Sequence, residues 1–361
     1  MRSILLNPGP VSLSGRVRKA AVATDLCHRE AEFFDLQDGV RNKLLDLYRL
    51  SPEKWTVALL SGSGTTALEA MMSSLLPSES QLLVLENGVY GERLSKIAEI
   101  HGLNSSALRQ DWQAAWDLQK IDAKLAQGRF THVAAVHHET TTGRLNPVEE
   151  LAELCAAHEV GLLLDTVSSF GAEFIPFDND SLTACAVTAN KCLHGIPGCC
   201  FVIIRRSALD QGTHVPRSLT LDLALWVDHQ ERRSTPFTPP VNSLLALNEA
   251  LGELAENGGW QARHAHYHAL AGMVARTLKE IGVQPLIPAA QSSCVLRAYR
   301  IPEGDRYERI HDALKQRGFV IYGGQGSLAS ELFRISTMGD ISDYDAGRLV
   351  TALEAVFQPD V

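Results

Sequence analysis

The sequence predicts an α/β protein: a mostly parallel β-sheet covered by helices on both faces, followed by a smaller α/β lobe. Three observations carry this. Short, continuously apolar runs such as Trp55–Leu60 and Val160–Asp165 alternate with helix-forming segments. Strands that are apolar on both faces belong to buried parallel sheets. The first strand runs through a glycine-rich turn, Ser61-Gly-Ser-Gly-Thr-Thr66, directly into a helix. The third observation is length: 361 residues suffice for two or three domains and a core that needs no staple.

The elements follow in order. Trp55–Leu60 is rich in β-forming residues, and Ala67–Leu76 holds good helix formers without a breaker. Gln81–Glu86 reads as a strand, Tyr90–His101 as a helix, Asn104–Arg109 as a weak strand and Gln113–Gln127 as a helix. Phe130–His138 reads as a strand. A helix over Pro147–His158 follows, with the proline at the first helical position, where its missing N–H costs nothing. Val160–Asp165, Ala184–Ala189 and Cys199–Arg205 are further apolar strands. A long helical stretch spans Pro240–Ile281, broken near Gly258-Gly259. In the remainder, Ser293–Arg300, Gly318–Tyr322 and Glu331–Thr337 read as strands, and Arg306–Arg317 and Asp343–Phe357 as helices. The expected division is an N-terminal arm over 1–20 that joins the small domain or a dimer interface, a large domain over 21–260 and a small one over 261–361. In open parallel sheets, ligands sit beyond the carboxyl ends of the strands. Chemistry is therefore expected in the turns after Leu60, His138, Asp165 and Ala189.

Composition excludes several classes. Lys plus Arg total 33 against 42 Asp plus Glu, a net charge of −9, whereas a nucleic-acid binder carries a basic footprint. Seven Cys without a CxxC pair suit reduced thiols in a cytoplasmic protein better than a disulfide scaffold or zinc site. No apolar run is long enough for a signal peptide or a membrane span.

Four features carry chemistry. The Ser61–Thr66 turn opens a helix whose free N–H groups suit a phosphate, although a plain Ser/Thr-capped turn has the same look. Asp165 ends an apolar strand, where it either caps the next turn or pairs with a positive group. Lys191 lies at the end of another apolar strand, in the Gly/Pro-rich run to Gly198. A desolvated lysine has a lowered pKa and attacks carbonyls, whereas an ordinary lysine reaches the surface. Arg334 interrupts the apolar Leu332–Ser336 and either meets a structural carboxylate or faces a ligand anion. Three tempting readings are set aside. His137 and His138 point to opposite faces of a strand and hold no metal together. His264, His266 and His268 read as a solvated helix face, and Cys192 as a packing residue.

A phosphate cradle, an acid, a lysine and a distal arginine are together the parts of a pyridoxal-phosphate site. The chain resembles the class V, fold-type I aminotransferases over nearly its whole length. The resemblance is carried by Asn7-Pro-Gly-Pro10, Ser61–Thr65, Asn87–Arg93, His137-His-Glu-Thr-Thr-Thr-Gly143, Asp165–Gly171, Ala189–Gly198, Phe237-Thr-Pro-Pro240, Gly318–Tyr322 and Phe333–Ile335. The strings at 137–143 and 189–192 are those of the branch acting on phosphonates.

The resemblance implies a large domain with a mostly parallel seven-stranded sheet between helices, a smaller C-terminal α/β domain, and pyridoxal 5'-phosphate as cofactor. It implies ping-pong transamination of 2-aminoethylphosphonate with pyruvate, giving phosphonoacetaldehyde and L-alanine. The alternative is another small donor, of the alanine–glyoxylate, serine–pyruvate or phosphonopyruvate type. Lys191 is implied as the Schiff-base lysine and proton shuttle, and Asp165 as the partner of the pyridine nitrogen. Ser63, Gly64 and Thr65 would hold the cofactor phosphate. Tyr90 and Val167 would cover the two ring faces, Thr140 would bond the phenolic oxygen, and Thr188 would add a further cofactor contact. Thr238 would reach the cofactor phosphate of a neighbouring subunit, making a homodimer with active sites at the interface. Arg334 would bind the substrate carboxylate and, in the other half-reaction, the phosphonate. No metal, nucleic acid or membrane is implied. The chain departs from the family pattern at Asp165-Thr-Val-Ser-Ser169, usually Asp-Ala-Met-Ser-Ser, at Val241-Asn242, usually Thr-His, and at Ser12-Leu-Ser14, usually Thr-rich.

Overall fold

The computed structural model describes residues 3–209 and 216–358. The large domain is built on a sheet of seven strands. In chain order these are β1 (Trp55–Gly62), β2 (Leu82–Glu86), β3 (Ser105–Arg109), β4 (His132–Val136), β5 (Gly161–Asp165), β6 (Leu182–Thr188) and β7 (Gly198–Arg205). Their spatial order is β1-β7-β6-β5-β4-β2-β3. All neighbours pair in parallel except β7, which lies antiparallel between β1 and β6. The fold class read from the sequence is the one observed.

Period-2 alternation explains why the strands are apolar throughout. Val57 and Leu59 of β1 enter the core on one face, while Ala58 and Leu60 enter the core on the other. The helix Gly64–Leu75 packs on the second face, where the small side chains Ala184 and Ala186 of β6 leave room for Ala67, Met71 and Met72. The helices Ala31–Asp46 and Val241–Glu256 cover the first face through residues such as Phe33, Leu44, Leu247 and Leu251.

The second domain has its own core. The helix Gly259–Glu280 starts beside the large domain after Gly258, whose φ of 91° suits glycine, and packs its later turns on the helix Asp343–Phe357. A three-stranded antiparallel sheet places Leu332–Ser336 between Leu296–Arg300 and Tyr322–Gly323. The start of the chain also joins this domain, with Ile4–Leu5 pairing in parallel with Phe319–Val320.

Several elements differ from expectation. The helix expected over 113–127 is confined to Leu118–Leu125, because Asp111 folds the preceding residues into a turn and Asp117 caps the helix start at Lys120. The strand expected over 130–138 ends at Val136. The chain then forms a two-residue hairpin in which His138–Glu139 pairs with Arg144–Leu145. Pro147 is the N-cap, not the first helical residue. The segment 318–322 is split between two sheets at Ile321, with Phe319–Val320 in one and Tyr322–Gly323 in the other. The helices Ala31–Asp46 and Leu223–Glu231 were not anticipated. Among the described residues, no helix is long and apolar enough to cross a membrane.

Candidate active site

The carboxyl ends of β1, β4, β5 and β6 lie along one edge of the sheet, and the residues singled out in the sequence gather there. Asp165 is the last residue of β5 and is buried. Its Oδ1 accepts a hydrogen bond of 2.9 Å from the Val167 N–H. Burial pushes its carboxyl up to about 6, against the Val167 bond and the nearby Arg93 and Lys191 cations, which pull it down.

Lys191 follows β6 in a turn closed by hydrogen bonds from the His194 N–H to Lys191 O and from the Gly195 N–H to Ala189 O. Burial lowers its amine to about 8; Cys192 and Asp165 oppose that shift, while Arg334 and Arg93 add to it. Its Nζ donates to the Pro8 carbonyl. The arm lies so close that a Cβ on Gly9 would stand 2.7 Å from Lys191 Cδ, and the φ of 108° also requires glycine.

Gly64 begins the helix after β1. A Cβ there would meet Val167 Cγ1 at 2.8 Å, so the helix N-terminus and the residues after Asp165 are in close contact only because position 64 has no side chain. Ser63 is the N-cap, and its N–H donates to Thr66 Oγ1 at 3.1 Å. Thr65 Oγ1 accepts from Arg93 Nη1 at 3.4 Å. The Arg93 guanidinium in turn lies 4.7 Å from the centre of the Tyr90 ring. Thr188 is buried, and its hydroxyl donates to Asn190 Oδ1 at 2.8 Å.

Thr140 lies in the hairpin turn after β4. Its Oγ1 is buried without a partner, while its carbonyl accepts from Arg334 Nη1 at 2.8 Å. Arg334 is buried; Nε donates to Gly323 O at 2.8 Å, and Nη1 also donates to Gln325 Oε1 at 3.1 Å. None of these acceptors is a carboxylate, so the structural ion pair left open by the sequence is not what holds Arg334. Thr238 stands apart from this group as an exposed residue.

Sequence reasoning missed two participants. Arg93 was in a quoted string but carried no role, because nothing in the sequence links it to Asp165, Thr65 or Tyr90. Glu139 is fully buried. Its Oε2 accepts from the Tyr90 and Gly91 N–H groups at 3.2 Å each, and its Oε1 from the Thr141 N–H at 3.1 Å and hydroxyl at 2.6 Å. It thus satisfies orphan donors at the start of the helix Val89–Ile100. A side chain at Gly88 would collide with it. Burial raises its carboxyl to about 7. His138 and His137 are both buried; His138 Nδ1 lies 3.0 Å from Ser168 O, and His137 lines a cleft with Glu173 and His264. His266 and His268 are exposed, as a solvated helix face implies, and His264 is half-exposed with its Nδ1 3.2 Å from Glu173 Oε2.

A strand-end lysine of lowered pKa, a buried acid one strand away and a buried arginine form the constellation of an amino-group transferase. The family model for class-V aminotransferases matches residues 16–331, and the chain belongs to that family. It is 35% identical over 358 residues to the 2-aminoethylphosphonate–pyruvate transaminase of Phocaeicola vulgatus, covering 98% of each chain. It is 36% identical over 362 residues to the protein of the same name from Vibrio cholerae, covering 97% of this chain and 96% of that one. Among solved structures, an aspartate aminotransferase of subgroup IV from Thermus thermophilus superimposes with a TM-score of 0.90 at 28% identity, over 99% of this chain and all of the other. The fold is that of the fold-type I aminotransferases.

Proposed function

We propose that the protein transfers the amino group of 2-aminoethylphosphonate to pyruvate, yielding phosphonoacetaldehyde and L-alanine, with pyridoxal 5'-phosphate as its cofactor. The observation that carries this reading is the half-buried Lys191, its amine lowered to about 8, and the buried Asp165 at neighbouring strand ends, each acting on the other's charge. The two relatives described above support the choice of substrates.

The residues present fit the cofactor. Asp165 is a buried acid whose hydrogen bond comes from a neutral backbone group, so a protonated ring nitrogen supplies the cation it lacks. Thr140 Oγ1 is an orphaned buried hydroxyl suited to the ring's phenolic oxygen. Ser63, Gly64 and Thr65 at the helix N-terminus suit the phosphate. Tyr90 and Val167 would cover the ring faces, and Thr188 would add a contact. Bound there, pyridoxal phosphate supplies an aldehyde for the amino group and a protonated ring that draws electrons from the substrate carbon.

The chain's own residues do the rest. Lys191 Nζ would hold the cofactor at rest. Its amine, neutral for part of the time near pH 8, would take the proton from the substrate carbon and return it in the second half of the step. Asp165 would supply the negative charge that keeps the ring nitrogen protonated. Arg334 presents a guanidinium fork to the carboxylate of pyruvate and, in the other half-reaction, to the phosphonate; both anions match that geometry. Pro8 and Gly9 cover the lysine and limit water around it. The exposed Thr238 would reach the cofactor phosphate of a second copy, giving a homodimer with shared sites. All seven cysteines are free thiols, which supports a place in the cytoplasm.

The test is a panel of amino donors with pyruvate or glyoxylate, followed by NMR of the products. Formation of phosphonoacetaldehyde and alanine is expected. Turnover of alanine with glyoxylate, without turnover of 2-aminoethylphosphonate, would overturn the substrate assignment. Borohydride should fix the cofactor covalently on the wild-type chain and not on Lys191→Ala.

A further inference from the structure

The reaction uses Tyr90 of the string Asn87–Arg93 and leaves the last residue of that string without a part. Arg93 is half-buried on the helix Val89–Ile100, three residues after Tyr90. That spacing puts both side chains on one face of the helix. A guanidinium carries five N–H donors, and a carboxylate commonly takes two of them. Among the described residues no carboxylate pairs with Arg93, and its side chain donates to Thr65 Oγ1 through a long hydrogen bond of 3.4 Å.

That bond has a directional effect. A hydroxyl has one proton to give and two lone pairs that accept. Because Thr65 Oγ1 accepts from Arg93, the Thr65 proton points away from the guanidinium and is left for another acceptor. Thr65 is the second residue of the helix Gly64–Leu75, at the N-terminus suited to a phosphate.

Two other effects converge on the same site. The guanidinium carbon lies 4.7 Å from the centre of the Tyr90 ring, a cation–π contact that restrains the ring. Its charge also favours the ionised form of Asp165 and disfavours the protonated form of Lys191. At Lys191 the Arg334 cation acts in the same sense, and Asp165 and Cys192 act against it.

We infer that Arg93 is a positioning residue for the cofactor: it leaves the Thr65 hydroxyl proton for the phosphate, restrains Tyr90, and places one positive charge near both Asp165 and Lys191. The inference rests on the reading of this site as one for pyridoxal phosphate. A planar fork can lie against a ring and still reach a hydroxyl, which the compact ammonium of lysine cannot do at once.

The test uses the full chain, stripped of cofactor and titrated with pyridoxal 5'-phosphate or with pyridoxal, which lacks the phosphate. Arg93→Met should weaken binding of pyridoxal phosphate about tenfold and of pyridoxal about threefold, because only the first also loses the Thr65 contact. In a Thr65→Val background the same change should weaken both ligands equally, by about threefold. The pH midpoint for reductive trapping of Lys191 by a simple aldehyde should rise above about 8 in Arg93→Met and stay there in Arg93→Lys, which keeps the charge. Lys96→Met, which removes an exposed cation from the same helix, should change neither reading. Equal losses for the two ligands in the wild-type background, or an unmoved midpoint in Arg93→Met, would overturn the assignment. If Arg93→Met fails to fold, Arg93→Lys decides: weaker binding of pyridoxal phosphate with an unmoved midpoint is expected, and full affinity or a moved midpoint would overturn it. Borohydride trapping of pyridoxal phosphate on the wild-type chain reports on the cofactor reading alone, so a failure there is told apart from a failure at Arg93.

Discussion

Replacing Glu139 by Gln removes an ionisable group buried at the start of the helix Val89–Ile100 and leaves the shape almost unchanged. The folded carboxyl holds its proton up to about pH 7, because burial penalises the ionised form, while its ordinary value is 4.5. Its contribution to stability is therefore full below 4.5 and is lost as pH rises through 7. Between pH 5 and 8 the wild type loses about 2 units of proton linkage, or roughly 3 kcal/mol, and Glu139→Gln loses none of it. With about 2.1 cal/mol/K of unfolding entropy per residue, that is about 4 °C in a chain of this size. Orphaning one N–H by the new amide costs the variant about 1–3 kcal/mol at every pH, which offsets the curves without tilting them. The assay is thermal unfolding of both proteins at pH 5, 6, 7 and 8, in matched buffers and with the cofactor bound. The melting temperature of the wild type relative to the variant should fall by about 4 °C across that range. A difference that stays flat, or grows with pH, would refute a neutral, burial-dominated Glu139. Such a result would show that the four donors around the carboxylate outweigh its desolvation.

Two further outcomes follow from the contacts at the strand ends. Gly64→Ala places a Cβ 2.8 Å from Val167 Cγ1, so the helix start or Val167 must move. Overpacking of this kind costs about 1–3 kcal/mol, and the variant should both melt earlier and release pyridoxal phosphate more readily on dialysis. In cofactor-free protein, reductive trapping of Lys191 by a simple aldehyde should rise with pH with a midpoint near 8, because only the neutral amine attacks. A midpoint near the ordinary lysine value of 10.5, followed by peptide mass mapping, would refute the desolvated amine.

The sheet was legible because its buried strands leave continuous apolar runs; the edge strand Ser105–Arg109, partly exposed, gave only a weak signal. Asp165 and Lys191 were legible for the related reason that a charge at the end of such a run is chemically conspicuous. Arg93 and Glu139 were not, because each sits in an ordinary polar stretch and takes its meaning only from partners brought near by the fold. The same holds for His264, whose i, i+2, i+4 companions suggested a solvated face, while its partners Glu173 and Cys294 come from distant segments. The helix Ala31–Asp46 escaped notice because its mean hydropathy is low and its apolar residues are spread among charges. The split of 318–322 between two sheets could not be read from five residues, since either pairing suits the same β-forming composition.

The arm that covers Lys191 begins as the strand Ile4–Leu5, whose pairing partner Phe319–Val320 lies near the far end of the chain. During synthesis the arm therefore waits for a partner made much later in the chain. The large domain can close its sheet while Lys191 is still uncovered, which leaves a window for a cofactor to enter before the lid is fastened.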